Sequence, residues 1–228
     1  MSEFDQFAKD YDAALTQGIS LSGEAKDFFA VGRIAWLKQK LNSRMPASPK
    51  IIDFGCGTGT STSLLKTELE AGEVIGTDTS AESLEVARVY HKDAGVKFLL
   101  PGDIPEAPAF DLVFCNGVFH HITVKERPGA LSWIHKRLKP GGLFVMWENN
   151  PLNLGTQIIM SRIPFDKDAE KILPWAGRKL LSRHGFKVEA TTYLFVFPRF
   201  MKMFRMMEPV LSSIPLGAQY QIIAQKLS

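Results

Sequence analysis

Along the chain, apolar positions first recur at helical spacing. Phe4, Phe7, Ala8, Tyr11 and Leu15 fall at i, i+3 and i+4, which predicts a short amphipathic helix over 3–17. ISLSGEAKDFF breaks that pattern and opens a second helix running to about Leu41, with Ser22 as its N-cap. Ala25 stands where a capping box would need an acid. NSRMPASPK, with two prolines, predicts a loop.

The pattern then alternates. KIIDFG, EVIGTD, VKFLLPGD, FDLVFCNG and LFVMWEN are short β-branched or apolar runs that predict strands. Between them, TSTSLLKTELEA, SAESLEVARVYHKDA and VKERPGALSWIHKRLKPGG predict helices. Such βαβ alternation implies a parallel sheet covered on both faces, with right-handed crossovers. After Asn150 the order changes: a loop and partial helix, a helix in AGRKLLSRHGF, and strands in KVEATTYLFVF and AQYQIIAQKL. The expected fold is a Rossmann-like, doubly wound, mostly parallel seven-stranded sheet with an antiparallel C-terminal hairpin, N-terminal helices and a lid-like C-terminal insertion. No internal repeat or domain boundary is visible. The 228 residues read as a single domain: a helical cap over 1–45, a ligand-binding core over 48–150, and substrate-side elements with the last two strands over 151–228.

Composition excludes more than it selects. Hydrophobic residues make up 45% and charged residues 22%, and the net charge is +3 with no basic tract, so no nucleic-acid partner is indicated. Cys56 and Cys115 are too few for a disulfide framework and read as small buried residues in a reducing compartment. The first residues show no signal-peptide pattern, and no apolar run approaches the ~20 residues that span a bilayer, so a cytoplasmic protein is expected. No Cys or His cluster shows metal-ligand spacing, so no metal is expected.

The chemistry gathers in IIDFGCGTGTSTSLL, where Gly55, Gly57 and Gly59 end a strand and open a helix. In an open α/β sheet, ligands bind beyond the carboxyl ends of the strands. The next strand ends at Asp78, about twenty residues on, where a carboxylate can accept both hydroxyls of an unphosphorylated ribose. The spacing is G-x-G-x-G rather than the dinucleotide G-x-G-x-x-G, with Thr60 at the third dinucleotide position. Asp53 heads the loop, a poor neighbour for a pyrophosphate and a good one for an ammonium. S-adenosylmethionine, with its ribose, ammonium, carboxylate and sulfonium, fits this pattern better than NAD.

DFGCGTG resembles motif I of the class I S-adenosylmethionine-dependent methyltransferases. TDTSAESLEVAR, PGDIPEAPAFDLVFCNGVFHHI and LKPGGLFVMWENN resemble that family's following segments in order and spacing, so the resemblance spans about 48–150. It implies that Gly55, Gly57 and Gly59, with Cys56 between them, wrap the methionine and ribose, and that Asp53 sits near the ammonium. It further implies that Asp78 holds the ribose flanked by Thr79, that Asp103 receives the adenine amino group beside Ile104, and that Asn116 and Gly117 meet the methionine end. The N-terminal segment resembles members opening on a Phe-Asp-x-x-Ala-x-x-Tyr-Asp helix, which places Tyr11 over the cofactor and Arg33 near its carboxylate.

An oxygen or carbon nucleophile must also lose a proton, a role open to His120, His121 or Glu148. Asn149 and Asn150 are candidates to orient an acceptor, and the bland alternative is a polar turn ended by Pro151. FMKMFRMM reads either as a helix packed on the sheet or as a wall for a greasy acceptor at or near a membrane surface. The first reading is the default, and general similarity to quinone-biosynthesis methyltransferases lends the second support by analogy. The resulting expectation is O- or C-methylation of a small apolar or aromatic acceptor, releasing S-adenosylhomocysteine. The alternatives are a non-catalytic S-adenosylmethionine-binding protein and an NAD-dependent oxidoreductase.

Overall fold

The computed structural model describes residues 17–41, 44–166 and 169–227. The 3–17 helix and Tyr11 fall, all but the helix's last residue, outside these described residues.

Seven strands form one sheet in the order β3-β2-β1-β4-β5-β7-β6. They are β1 (Lys50–Phe54), β2 (Glu73–Thr77), β3 (Lys97–Leu99), β4 (Phe110–Asn116), β5 (Leu138–Asn149), β6 (Phe186–Leu194) and β7 (Gln219–Lys226). β7 runs antiparallel to both β5 and β6, and the remaining pairings are parallel. The expected fold class is therefore the observed one.

Period-2 patterning explains the layering. Ile52, Val113, Cys115, Phe144 and Met146 face one core, joined by Leu131 and Ile134 of α4 (Arg127–Arg137) and Leu181 of α6 (Pro174–Arg183). Ile51, Leu112, Phe114 and Val145 face the other, joined by Ile34 and Leu37 of α1 (Lys26–Leu41) and Leu65 of α2 (Thr60–Glu68). Both faces of β1, β4 and β5 are thus dry, as a central parallel sheet requires. α3 (Ala81–Tyr90) covers the β2–β3 end, capped by Ser80, whose hydroxyl accepts the Ser83 N–H. A short helix, α5 (Leu154–Met160), follows β5, with Asn153 as its N-cap.

Three local expectations shift. Ser22 does not cap α1. It lies in a 3-10 turn over Ser20–Ser22 closed by Gly23, and its hydroxyl accepts the Glu24 N–H. LKPGG belongs to β5: Leu138 pairs with Phe110 across a bulge that absorbs the glycines. β6 ends at Leu194, and Phe195 adopts a φ of 62°, which turns the chain out of the sheet.

Strand order reverses between β1 and β4. Their carboxyl ends, Phe54-Gly55 and Asn116-Gly117, therefore flank the crevice where open α/β sheets bind ligands.

Candidate functional site

Two cavities, about 490 and 390 Å³, open at this crevice and share Gly55, Gly57, Thr58, Asn116, Gly117 and His121 in their walls. Gly55 and Cys56 are tied to β2 by N–H bonds to the Thr77 carbonyl. At Gly55 (φ 71°) a Cβ would lie 2.3 Å from Val118, so that glycine answers a packing demand. At Gly57 (φ 51°) a Cβ would meet nothing within 4 Å, so the backbone there is bare toward ligand space. Gly57→Ala should weaken cofactor binding about tenfold, by lining that space with a methyl group, while costing the fold only ~1 kcal/mol. Calorimetric titration beside thermal melting checks both halves.

Asp78 lines the smaller cavity with Thr79, Pro101 and Trp133. Its Oδ2 accepts the Gly57 N–H and its Oδ1 the Ser80 N–H, each at 2.9 Å. The carboxylate thus braces the glycine loop at the wall of the smaller cavity. Trp133, missed in the sequence, donates from its indole to the Pro101 carbonyl and packs on Phe54. Asp103 is exposed in a 3-10 turn, and Ile104 is buried in the core, its carbonyl held by Arg137. Neither lines the two cavities.

Asp53 and Arg33 line the larger cavity, and both are nearly inaccessible. Asp53 accepts the Thr62 hydroxyl at 2.7 Å. Burial pushes its carboxyl up to about 7, opposed by the Thr62 bond, reinforced by nearby Asp78 and opposed again by Arg33. Arg33 donates to Gln219 at 3.0 Å. Burial also raises both thiols, Cys56 and Cys115, which keeps them protonated.

Three aromatic rings wall the same cavity. Phe28, Phe29 and Phe195 meet edge to face with centroids 5.0–5.8 Å apart. Positive φ is rare for a bulky residue. Here it is held by Glu208, whose carboxylate accepts the N–H groups of Phe195 and Phe197 at 3.2 and 3.1 Å. The FMKMFRMM run is not a helix packed on the sheet. It forms a 3-10 segment, Arg199–Met207, without a buried residue, on which Phe200 lines the cavity while 83% exposed. Arg205 fastens it to Glu24 at 2.7 Å and lies over the Phe28 ring.

At the floor, His120 Nδ1 lies 2.5 Å from Glu148 Oε2, and its Nε2 lies 3.4 Å from Asp166 Oδ1. Glu148 Oε1 accepts the Phe119 N–H at 2.8 Å. Burial opposes the charge on His120, but Glu148 and Asp166 outweigh it and push the imidazole up to about 10. Asp166 is held low despite its burial, because His120 and His121 both bond to it. Both nitrogens of His120 face carboxylates, and Glu148 lies behind it, outside both cavity walls. His121 lines both cavities, its Nε2 3.2 Å from Asp166. Linear spacing did not reveal this gathering of ligand-type groups, because Asp166 lies 46 residues after His120. Asn149 lines the cavity and accepts from Gln219. Asn150 is fully buried, and its amide bonds the Gly217 and Pro215 carbonyls, so it ties the chain after β5 to the one before β7.

Residues 52–144 match a family model described as a methyltransferase domain. The chain is 28% identical over 162 residues to the demethylmenaquinone methyltransferase of Thermus thermophilus, covering 67% of this chain and 69% of that protein. It is 30% identical over 144 residues to the ubiquinone biosynthesis O-methyltransferase of Erwinia tasmaniensis, covering 58% of this chain but only 55% of the relative. A TehB-like S-adenosylmethionine-dependent methyltransferase of Corynebacterium glutamicum shares the fold, with a TM-score of 0.62 at 17% identity over 98% of this chain and 99% of that one. By this matched core and these relatives, residues 52–144 form a methyltransferase domain, and the seven-stranded sheet that carries the glycine loop shares its fold with S-adenosylmethionine-dependent methyltransferases.

Proposed function

We propose that the chain binds S-adenosylmethionine across the two cavities and transfers its methyl group to a small apolar or aromatic acceptor. The observation that carries this reading is the pairing of carboxylates on either side of one glycine loop. Asp53 faces the larger cavity and Asp78 the smaller. A ligand with an ammonium at one end and a ribose at the other satisfies both. The nucleoside then lies along Asp78 and Thr79 with Trp133 near its base, and the methionine end passes Gly57 toward Asn116 and Gly117. Arg33, on the same wall as Asp53, suits the methionine carboxylate.

Transfer is an in-line displacement at carbon. The acceptor's electron pair forms the new bond to the methyl group as the C–S bond breaks and its pair returns to sulfur. The sulfonium supplies the leaving group, so alignment and exclusion of water are the protein's main contributions. The acceptor's proton leaves to His121, which lines both cavities and is oriented by Asp166, while Glu148 holds His120 beside it. The Phe28, Phe29 and Phe195 wall favours a planar or greasy acceptor. The exposed Phe200, Met203 and Met206 beside Lys202 suit loading from a membrane surface. Among the described residues no helix is long and apolar enough to cross a membrane. The names of the quinone-pathway relatives point to the same acceptor class, with oxygen or ring carbon as the methylated atom.

Asp53 sets a pH dependence. A buried acid near 7 must be ionised to hold an ammonium, so ligand binding expels a proton. Affinity for S-adenosylhomocysteine should be roughly eightfold weaker at pH 6 than at pH 7.5. In the ligand-free protein the sign reverses for stability. The folded state keeps a proton that the unfolded chain loses, so this group's contribution falls as pH rises from about 4 to about 7. Calorimetric titrations at the two pH values check the first statement, and Asp53→Asn should flatten the profile. The activity itself is tested by incubating the protein with methyl-labelled S-adenosylmethionine and reduced quinone-type phenols dispersed in detergent. Label should enter the organic phase. Tight cofactor binding without label transfer to any such acceptor would favour a non-catalytic binding protein.

A further inference from the structure

The His120–His121–Asp166 cluster has a geometry that loss of a proton alone does not require. Two edges run from Asp166 Oδ1, 3.2 Å to His121 Nε2 and 3.4 Å to His120 Nε2, and the three atoms lie within 4.8 Å of one another. Donors held about 2.1 Å from one ion stand about 3.0–3.4 Å apart. Two of the three edges have that length, and the third is no longer than 4.8 Å. Two imidazole nitrogens with one carboxylate suit a borderline transition ion rather than calcium or magnesium.

The surroundings are built as such sites are. His120 and Asp166 are nearly buried, and His121 is half-buried. Glu148 occupies the other nitrogen of His120 and is itself anchored by the Phe119 N–H, which turns Nε2 toward the face. All three donors line the larger cavity, so the remaining coordination positions open into acceptor space. The rings of His120 and His121 lie 4.0 Å apart, so the two donors are already gathered.

We propose that His120, His121 and Asp166 bind one divalent transition ion of the zinc or manganese class, with open positions facing the acceptor cavity. An oxygen of a phenol- or enol-type acceptor takes one of these positions, a role that rests on the methyltransferase reading. Ion binding releases the proton shared by His120 Nε2 and Asp166, and the bound hydroxyl then gives its own proton to solvent. The resulting oxyanion, or the ring carbon it activates, attacks the methyl carbon, and the C–S electron pair stays on sulfur.

Cobalt(II) is the probe, added to the untagged, metal-stripped chain. One equivalent should bind with visible d–d absorption distinct from the aqueous ion, and zinc should displace it. Asp166→Asn and His121→Gln should each weaken cobalt binding at least tenfold. The second variant serves if the first does not fold, as circular dichroism will report. Absence of cobalt absorption, or absorption unchanged in the folded variants, would overturn the site and leave the cluster as a proton-bridged ion triad. Cobalt bound in the triad of a protein that does not bind S-adenosylhomocysteine would uphold the metal site while removing the cofactor reading.

Discussion

Asp78→Ala is expected to weaken binding of S-adenosylhomocysteine by at least about 100-fold. In the proposed cofactor site the carboxylate accepts two ribose hydroxyls, and hydrogen bonds to a charged group contribute about 1.5–3 kcal/mol each. It also accepts the Gly57 and Ser80 N–H groups, so its removal loosens the loop that the ligand crosses. Those bonds face cavity space where water can replace the carboxylate, so the unliganded protein should lose only a few degrees in melting temperature. Asp78→Asn separates the two effects. Its amide keeps one acceptor for the backbone but presents a donor to the hydroxyls, so the binding loss should remain while the melting loss shrinks. Titration calorimetry with parallel melting curves reads both. Unchanged affinity in Asp78→Ala would remove Asp78 from the ribose site.

The second large effect is on stability. Glu148→Gln should cost about 3 kcal/mol, which for a chain of this size is a fall of roughly 6–12 °C in melting temperature. The carboxylate is buried and accepts both the Phe119 N–H and His120 Nδ1. A glutamine can satisfy one of these donors through its oxygen but turns an N–H toward the other, which leaves a buried donor facing a donor. Asp166 still balances part of the imidazolium charge, so the loss should stay below that of an isolated buried ion. Chemical denaturation of the wild type and the variant checks the figure. A change under about 0.5 kcal/mol would mean that the His120–Glu148 contact contributes little.

Much of the architecture was legible because burial on both faces leaves a plain mark. KIIDF and FDLVFCN have few polar positions, and only a central strand of a covered parallel sheet tolerates that. The glycine loop and Asp78 were readable because their roles depend on backbone geometry and strand ends, which sequence order dictates. Residues recruited across the fold were not readable. Asp166 ends a short 3-10 turn after α5, Pro164–Asp166, and acquires meaning only where the chain folds back on His120 and His121. Trp133 gains its place at the cavity only where the chain after β3 brings Pro101 against it. Asn150 shows the reverse error: a polar residue after a strand suggested substrate contact, but its amide is consumed by the Pro215 and Gly217 carbonyls. The Phe195 turn could not be foreseen, because positive φ in a phenylalanine is set by Glu208, thirteen positions further on.

The central claim is that the two cavities flanking the glycine loop form one S-adenosylmethionine site. Titration calorimetry of the purified chain with S-adenosylhomocysteine, and separately with NADH, tests it most directly. The account predicts saturation at one equivalent of S-adenosylhomocysteine, lost in Asp78→Ala, and no binding heat from NADH. Saturable binding of NADH with none of S-adenosylhomocysteine would contradict it.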